Sequence, residues 1–383
     1  MEGARGSPGL RRGCGPTRPG AAPVQPQAAC GGDRAAHHGP AEGATVNVLV
    51  YGAGAVGSFV GAVLARAGER VTLLGRPAHA QAVVRDGLHV EGPGGSRTWV
   101  RIPAASRPEE LDGPFDAVVV TVKGYDTHGA ASTIPHLLAP HGRVVCLQNG
   151  VGHEEVLAGQ VGSGRVVAGA VTTSVSLAAP GRVVQHTRGG VVLASWDGAA
   201  VEDVVDGLRR GGLAARSAPD ARGLKWSKLL LNLVANATCA VLDLPPGLVY
   251  GHPGLFRVER RMLQEAVAVG RALGVRWVDL PGFPVRMLVP ALRSPEPVAR
   301  RVLWRAVSGG RGTKMPSLWH DLARGRTEVA YLNGAVARWG AAVGVATPVN
   351  EVLARLVQEL SLGLRDRELF RHHPEALMQA LAR

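Results

Sequence analysis

The chain has 383 residues, 46% of them apolar and 19% charged, with a formal net charge of +13. That length suits two domains with sizeable cores, and the longest apolar run, 229–242, is interrupted by Asn232 and Asn236 and is too short to span a bilayer. The basic residues are scattered with few aromatics among them, which argues against a nucleic-acid binder and suits anionic small-molecule ligands.

Four cysteines (Cys14, Cys30, Cys146, Cys239) form no CxxC and no metal-type pairing with histidine, so they read as reduced thiols of a cytoplasmic protein, with no metal site expected. Of the 43 lysines and arginines only four are lysines: Lys123, Lys225, Lys228 and Lys314. In so arginine-rich a chain a lysine can mark a place that needs a compact ammonium able to give up its proton, which a guanidinium cannot do.

Residues 1–45 are rich in Gly, Ala, Pro and Arg without apolar periodicity, and are expected to be disordered. Their composition equally suits a transit peptide or an overlong gene start. Organisation begins at 46–51, an apolar, β-branched run with the character of a buried strand. It leads into Gly52-Ala53-Gly54-Ala55-Val56-Gly57 and then a helical pattern through Val63 and Leu64. Strand, GxGxxG, helix is the dinucleotide-binding order. The glycines permit the turn, the approach of a pyrophosphate and close helix–strand packing, and the helix N-terminus offers its N–H groups to phosphate.

The second strand, 70–74, ends at Gly75-Arg76. An NAD site usually has an acid there for the ribose 2′-hydroxyl, whereas Arg76 suits a 2′-phosphate, so NADP(H) is the expected cofactor. A solvated surface arginine is the alternative. Strands at 115–122 and 144–147 deliver Lys123 and Gln148-Asn149-Gly150 at their C-terminal ends, where an open parallel sheet binds its ligands. Shorter runs at 166–171, 182–186 and 191–194 are expected to extend the sheet.

From Asp220 the pattern turns helical. A single helix over 224–240 would stack Lys228, Asn232 and Asn236 at i, i+4 and i+8 among leucines. Burying those groups costs free energy, so the stripe either faces a wet cleft or forms a satisfied buried network. Further helices are expected near 258–273 and 297–307. Ser317 is expected to cap a helix over 318–324, Glu328 to open a long helix through Val343, and one more helix to follow Pro348.

Taken in order, GAGAVG (52–57), TVK (121–123), QNG (148–150), KWSKLLLNLVAN (225–236), PSLWHDLARGRTE (316–328), YLNGAV (331–336) and TPVNE (347–351) resemble the ketopantoate reductase (2-dehydropantoate 2-reductase) family over residues 46–360. The resemblance implies an α/β fold: an N-terminal Rossmann-type doubly wound parallel sheet over 46–219 and a C-terminal all-helical substrate domain over 220–383. It implies an NADP-dependent oxidoreductase that reduces ketopantoate to pantoate, or another 2-oxo acid or imine on the same scaffold. Lys228 then matches the general acid, and Lys123, Asn232, Asn236, Ser317 and Glu328 match substrate ligands. Gly52, Ala53, Gly54, Ala55, Val56, Gly57, Arg76, Lys123, Asn149 and Glu328 match cofactor contacts. The chemistry agrees: hydride addition builds negative charge on a carbonyl oxygen, and an ammonium stabilises that charge and supplies the proton. The partner expected is a small 2-oxo acid, with no nucleic acid and no membrane, and a homodimer left open. Three departures bear on the substrate, one being that the segment around Trp319-His320 differs from the family's commonest form. The spacing from Asp321 to Glu328 is one residue shorter than is common in the family, and Ala330 stands where an aspartate is usual.

Overall fold

The computed structural model describes residues 45–382, Gly312 excepted. The disorder expected for the N-terminal segment therefore falls, Thr45 apart, outside the described residues. The glycine-rich entry is formed by β1 (Asn47–Tyr51) and α1 (Ala55–Arg66), followed by β2 (Arg70–Leu74) and α2 (Pro77–Asp86). A hairpin of β3 (Leu88–Glu91) and β4 (Arg97–Val100) precedes β5 (Ala104–Ala105) and β6 (Phe115–Val120). Then come α3 (Thr127–Leu137), β7 (Leu138–Cys146), α4 (His153–Val161) and β8 (Val166–Val171). A second hairpin, β9 (Val175–Ala179) and β10 (Arg182–Gln185), leads to β11 (Gly190–Ser195), α5 (Glu202–Arg210) and β12 (Ala214–Ser217).

The main sheet has the order β12-β11-β8-β7-β6-β1-β2-β5 and is parallel throughout except where β11 meets β8. Its central strands are apolar on both faces, with Leu49, Val118, Val144 and Val166 inaccessible to solvent, as a sheet covered by helices requires. The direction of winding reverses about β1, which lies between β2 and β6, and this opens a crevice at the C-terminal ends of the strands.

Runs 166–171 and 191–194 extend this sheet as expected, but 182–186 does not. β10 lies in a separate four-stranded sheet, β4-β3-β10-β9. The reason is local. β10 follows β9 through the two-residue turn Pro180-Gly181, so the two pair directly, and only Val183 of β10 is buried, too little for a sheet covered on both faces.

The C-terminal region contains α6 (Ala221–Leu233), α7 (Asn236–Leu242), α8 (Pro246–Gly251), α9 (Pro253–Ala272), α10 (Val285–Ala291), α11 (Glu296–Arg311), α12 (Ser317–Leu322), α13 (Asn333–Ala342), α14 (Pro348–Ser361) and α15 (Pro374–Ala382). Asp220 caps α6 by accepting from the Gly223 amide, and α6 packs on β8 and β11. Among the described residues no helix is long and apolar enough to cross a membrane.

Three local expectations are corrected. The helix foreseen over 224–240 is two helices, broken at Val234 and Ala235, with Ala235 in the left-handed region at φ +55°. The break survives because the buried carboxylate of Glu259 accepts the Ala235 amide, 2.7 Å away. Ser317 does not cap: Pro316 holds the N-cap position of α12 and makes no side-chain cap bond, and Ser317 is the first residue of the helix. Glu328 opens no long helix. A 3-10 turn, Val329–Tyr331, follows it, and Leu332 breaks the helical path before α13 begins at Asn333.

Candidate active site

The glycine turn is built as its spacing implies. Gly52 has φ +111°, which only glycine adopts cheaply, and Thr121 Oγ1 at the end of β6 donates to its carbonyl at 2.7 Å. A Cβ on Gly57 would overlap Gly52 O and Thr121 Oγ1, whereas a Cβ on Gly54 would meet no atom within 4 Å. No side chain caps α1 and no acid stands in its first turn, so its N–H groups and positive dipole end are turned to open space. That cradle fits an anionic pyrophosphate. Arg76 is exposed at the end of β2, and Gly75 packs closely against Ala53 of the turn.

The predicted polar residues fall into two groups joined by Tyr331. In the first, Lys123 beyond β6 pairs with Glu328 and with Asp321, whose Oδ1 is 3.1 Å from Nζ. Glu328 Oε1 also accepts the Gly124 amide at 2.9 Å. Burial alone would lower the pKa of Lys123, but the two carboxylates outweigh it and hold the ammonium above lysine's ordinary value. The shortened spacing before Glu328 thus leaves its carboxylate turned to the end of β6.

In the second group, Asn232 Nδ2 on α6 donates to Asn149 Oδ1 beyond β7 at 3.0 Å. Asn236 Nδ2 donates to the Asn232 carbonyl at 2.9 Å and lies 3.3 Å from Ser317 Oγ, while its Oδ1 accepts the Leu318 amide. Tyr331 packs so tightly on Gly124 and Gly150 that a Cβ on either would overlap it, and its ring stacks on His153 at 4.5 Å. The break after α6 therefore keeps Asn236 within reach of Asn232, although the two no longer share a helix.

The position of Lys228 follows from its neighbours on α6. Lys225 Nζ donates to Gln148 O at 2.6 Å, and Asn232, seven residues on, reaches Asn149. Lys228 is half-buried, and at about 100° per residue it lies within about 60° of both around the helix. The face of α6 that carries it is therefore the face turned to the end of β7.

Several members of this arrangement were not legible as site residues. Lys225 is 2% exposed and forms a buried ion pair with Glu154 at 2.9 Å. Burial opposes its charge, but Glu154 outweighs burial and raises its pKa. His153 Nε2 donates to the Asn149 carbonyl at 3.0 Å, and burial pushes that imidazole down to about 4, so it is neutral at physiological pH. Asp321 entered the sequence reading only as a spacing marker. The scarcity of lysine was the one available signal. Lys123, Lys225 and Lys314, which donates to Ser174 Oγ at 2.7 Å, each reach between the sheet domain and the helical region.

A mostly parallel sheet with an open glycine cradle, its strand ends facing one polar face of a helical region, defines the Rossmann-type dinucleotide-binding class. Residues 48–198 match the family model described as ketopantoate reductase PanE/ApbA, and residues 220–361 match its C-terminal counterpart. The chain belongs to the ketopantoate reductase family, a family of nicotinamide-dependent oxidoreductases. It is 34% identical over 319 residues to a 2-dehydropantoate 2-reductase of Halobacterium salinarum, a match covering 82% of this chain and 98% of that one. A PanE/ApbA family ketopantoate reductase from Ralstonia eutropha JMP134 superposes with a TM-score of 0.71 at 32% identity, over 82% of this chain and 98% of the other. D-mandelate dehydrogenase in complex with NADH and anilino(oxo)acetate has the same fold, with a TM-score of 0.71 at 24% identity over 83% and 99% of the two chains.

Proposed function

We propose that the chain is an NADPH-dependent reductase of 2-oxo acids, with 2-dehydropantoate (ketopantoate) as substrate and pantoate, a precursor in pantothenate and coenzyme A synthesis, as product. The observation that carries this reading is the face of α6 on which Lys225 and Asn232 clasp Gln148 and Asn149, with Lys228 between them. In this reading the turn Gly52 to Gly57, with Ala53, Ala55 and Val56, holds the pyrophosphate, Arg76 holds the 2′-phosphate, and Asn149 and Glu328 border the nicotinamide. The bound cofactor supplies a hydride to the C2 carbonyl carbon. Lys228 donates a hydrogen bond to the carbonyl oxygen and passes its proton there as negative charge builds. A lysine is already protonated at neutral pH, so the acid role needs no large pKa shift.

Asn232, Asn236 and Ser317 offer amide and hydroxyl groups to the carboxylate and hydroxyl of the substrate. Lys123 adds positive charge, and Glu328 both orients Lys123 and accepts from a substrate hydroxyl. Pairing with two acids is consistent with Lys123 as a fixed electrostatic element and not as the proton donor. A different 2-oxo acid or an imine is the second reading, favoured by one feature: Ala330 stands exposed where an aspartate is usual. A cytoplasmic location and a homodimer would go with either reading, and light scattering on the purified protein gives the assembly. The decisive experiment follows NADPH loss with ketopantoate against a panel of 2-oxo acids and imines. Turnover of ketopantoate with the highest kcat/KM supports the first reading; turnover of another acceptor alone replaces it with the second.

A further inference from the structure

Glu259 lies on α9, which carries none of the residues assigned to substrate, and has no solvent exposure. A buried carboxylate is costly unless its oxygens are bonded, and these oxygens accept three donors. Oε2 accepts the Ala235 amide at 2.7 Å and the Tyr250 hydroxyl at 3.1 Å, and Oε1 accepts the Thr238 hydroxyl at 2.6 Å. One of the three comes from the backbone of the residue at which α6 and α7 separate.

That residue is strained. Ala235 takes φ +55°, which costs free energy for any side chain bearing a Cβ. Without an anchor on its amide, the segment 224–240 would relax toward the continuous helix that its own leucine-rich sequence favours. Relaxation would swing Asn236 off Ser317 and the Leu318 amide and remove its bond to the Asn232 carbonyl.

We propose that Glu259 is a positioning residue for the 2-oxo acid: its carboxylate pins the break after α6 and thereby sets Asn232 and Asn236 against Ser317. The inference rests on the reductase reading above. Burial pushes the Glu259 carboxyl up to about 7, so its charge is gained and lost near neutral pH. Among the described residues the titratable groups facing it are Cys239 of α7 and Tyr250 of α8, and burial raises both, leaving them neutral in that range. Ionised Glu259 is the stronger acceptor for the Ala235 amide. The oxo-acid site should therefore tighten as pH rises through about 7.

The test is steady-state kinetics of the full-length chain from about pH 6 to about pH 8. In the wild type, KM for the 2-oxo acid falls several-fold as pH rises, while KM for NADPH changes little. Glu259→Gln keeps the shape and loses the charge. Its KM for the oxo acid is about tenfold above wild type at the upper pH and is flat across the range, with kcat within about threefold. Adding Ala235→Gly restores most of the loss, because glycine takes the left-handed conformation without an anchor; a purely structural role for Glu259 would not be rescued this way. Ala235→Gly alone, which keeps the buried network whole, flattens the pH dependence of KM even should the glutamine variant fail to fold. An active wild type with unchanged KM and pH profile in both Glu259→Gln and Ala235→Gly overturns the positioning role alone. A wild type inert toward every acceptor overturns the reductase reading, and this role with it.

Discussion

Asn232 and Asn149 meet at 3.0 Å, the side-chain amide of a helix in the C-terminal region donating to a side chain just beyond β7, the fifth strand from the β5 edge. The bond joins the face that carries Lys228 to the edge of the sheet where an open α/β domain binds its ligands. Each proposed role can be probed separately around that junction.

Lys228 carries the chemistry in the proposed mechanism. Lys228→Met should lower kcat by about two to four powers of ten, while the dissociation constant for NADPH, read by fluorescence titration, changes little. Lys228→Arg keeps the charge and removes the transferable proton, and it should recover little of the loss. A methionine variant with wild-type kcat would remove Lys228 from the reaction.

The glycine cradle separates folding from binding. Gly54→Ala adds a Cβ that meets no protein atom, so the melting temperature should stay within a degree or two of wild type. Affinity for NADPH should fall about tenfold or more, because the methyl group takes the space of the approaching phosphate. Gly57→Ala overlaps Gly52 O and Thr121 Oγ1 and should lose about 1–3 kcal/mol of stability as well. Calorimetry paired with cofactor titration tests both, and a Gly54→Ala variant with wild-type affinity would move the phosphates elsewhere.

Arg76 tests cofactor choice. Arg76→Ala should raise KM for NADPH about 10- to 100-fold, as expected for loss of a charge-assisted phosphate contact, and leave KM for NADH nearly unchanged. An unchanged ratio of the two values would return Arg76 to the solvated surface.

The Lys123 cluster makes a prediction about pH. The fold raises the pKa of Lys123, so the stability it contributes is fully present below the ordinary lysine value of 10.5 and is lost only as pH rises beyond it. The wild type should therefore show no loss from this cluster between about pH 5 and about pH 8. In Lys123→Met the buried carboxylates of Asp321 and Glu328 lose the ammonium that lies between them. The variant should then lose stability as pH rises, by about 1–3 kcal/mol at the upper end, a figure reduced because 33% of the Lys123 side chain meets solvent. Melting curves at both pH values check it, and an equal loss at each would mean that the acids do not depend on Lys123.

The sequence by itself determined whatever depends on neighbours along the chain. The strand–GxGxxG–helix unit, the apolar strands ending at Lys123 and Asn149, and the change to helices after Asp220 all follow from local periodicity and glycine chemistry. Tertiary structure decided what depends on distant partners. Residues 224–240 read as one helix because nothing local opposes it; Glu259, brought over by α9, breaks it by accepting the Ala235 amide. β10 left the main sheet because it pairs with its hairpin partner β9 on one side and with the distant β3 on the other. The charge balance of the cleft was equally out of sight, since Lys123 finds Asp321 and Glu328, and Lys225 finds Glu154, only once the sheet and the helices have packed together. A buried charge is tolerated only beside its partner, and no spacing rule along a chain records a partner supplied by the other half of the fold.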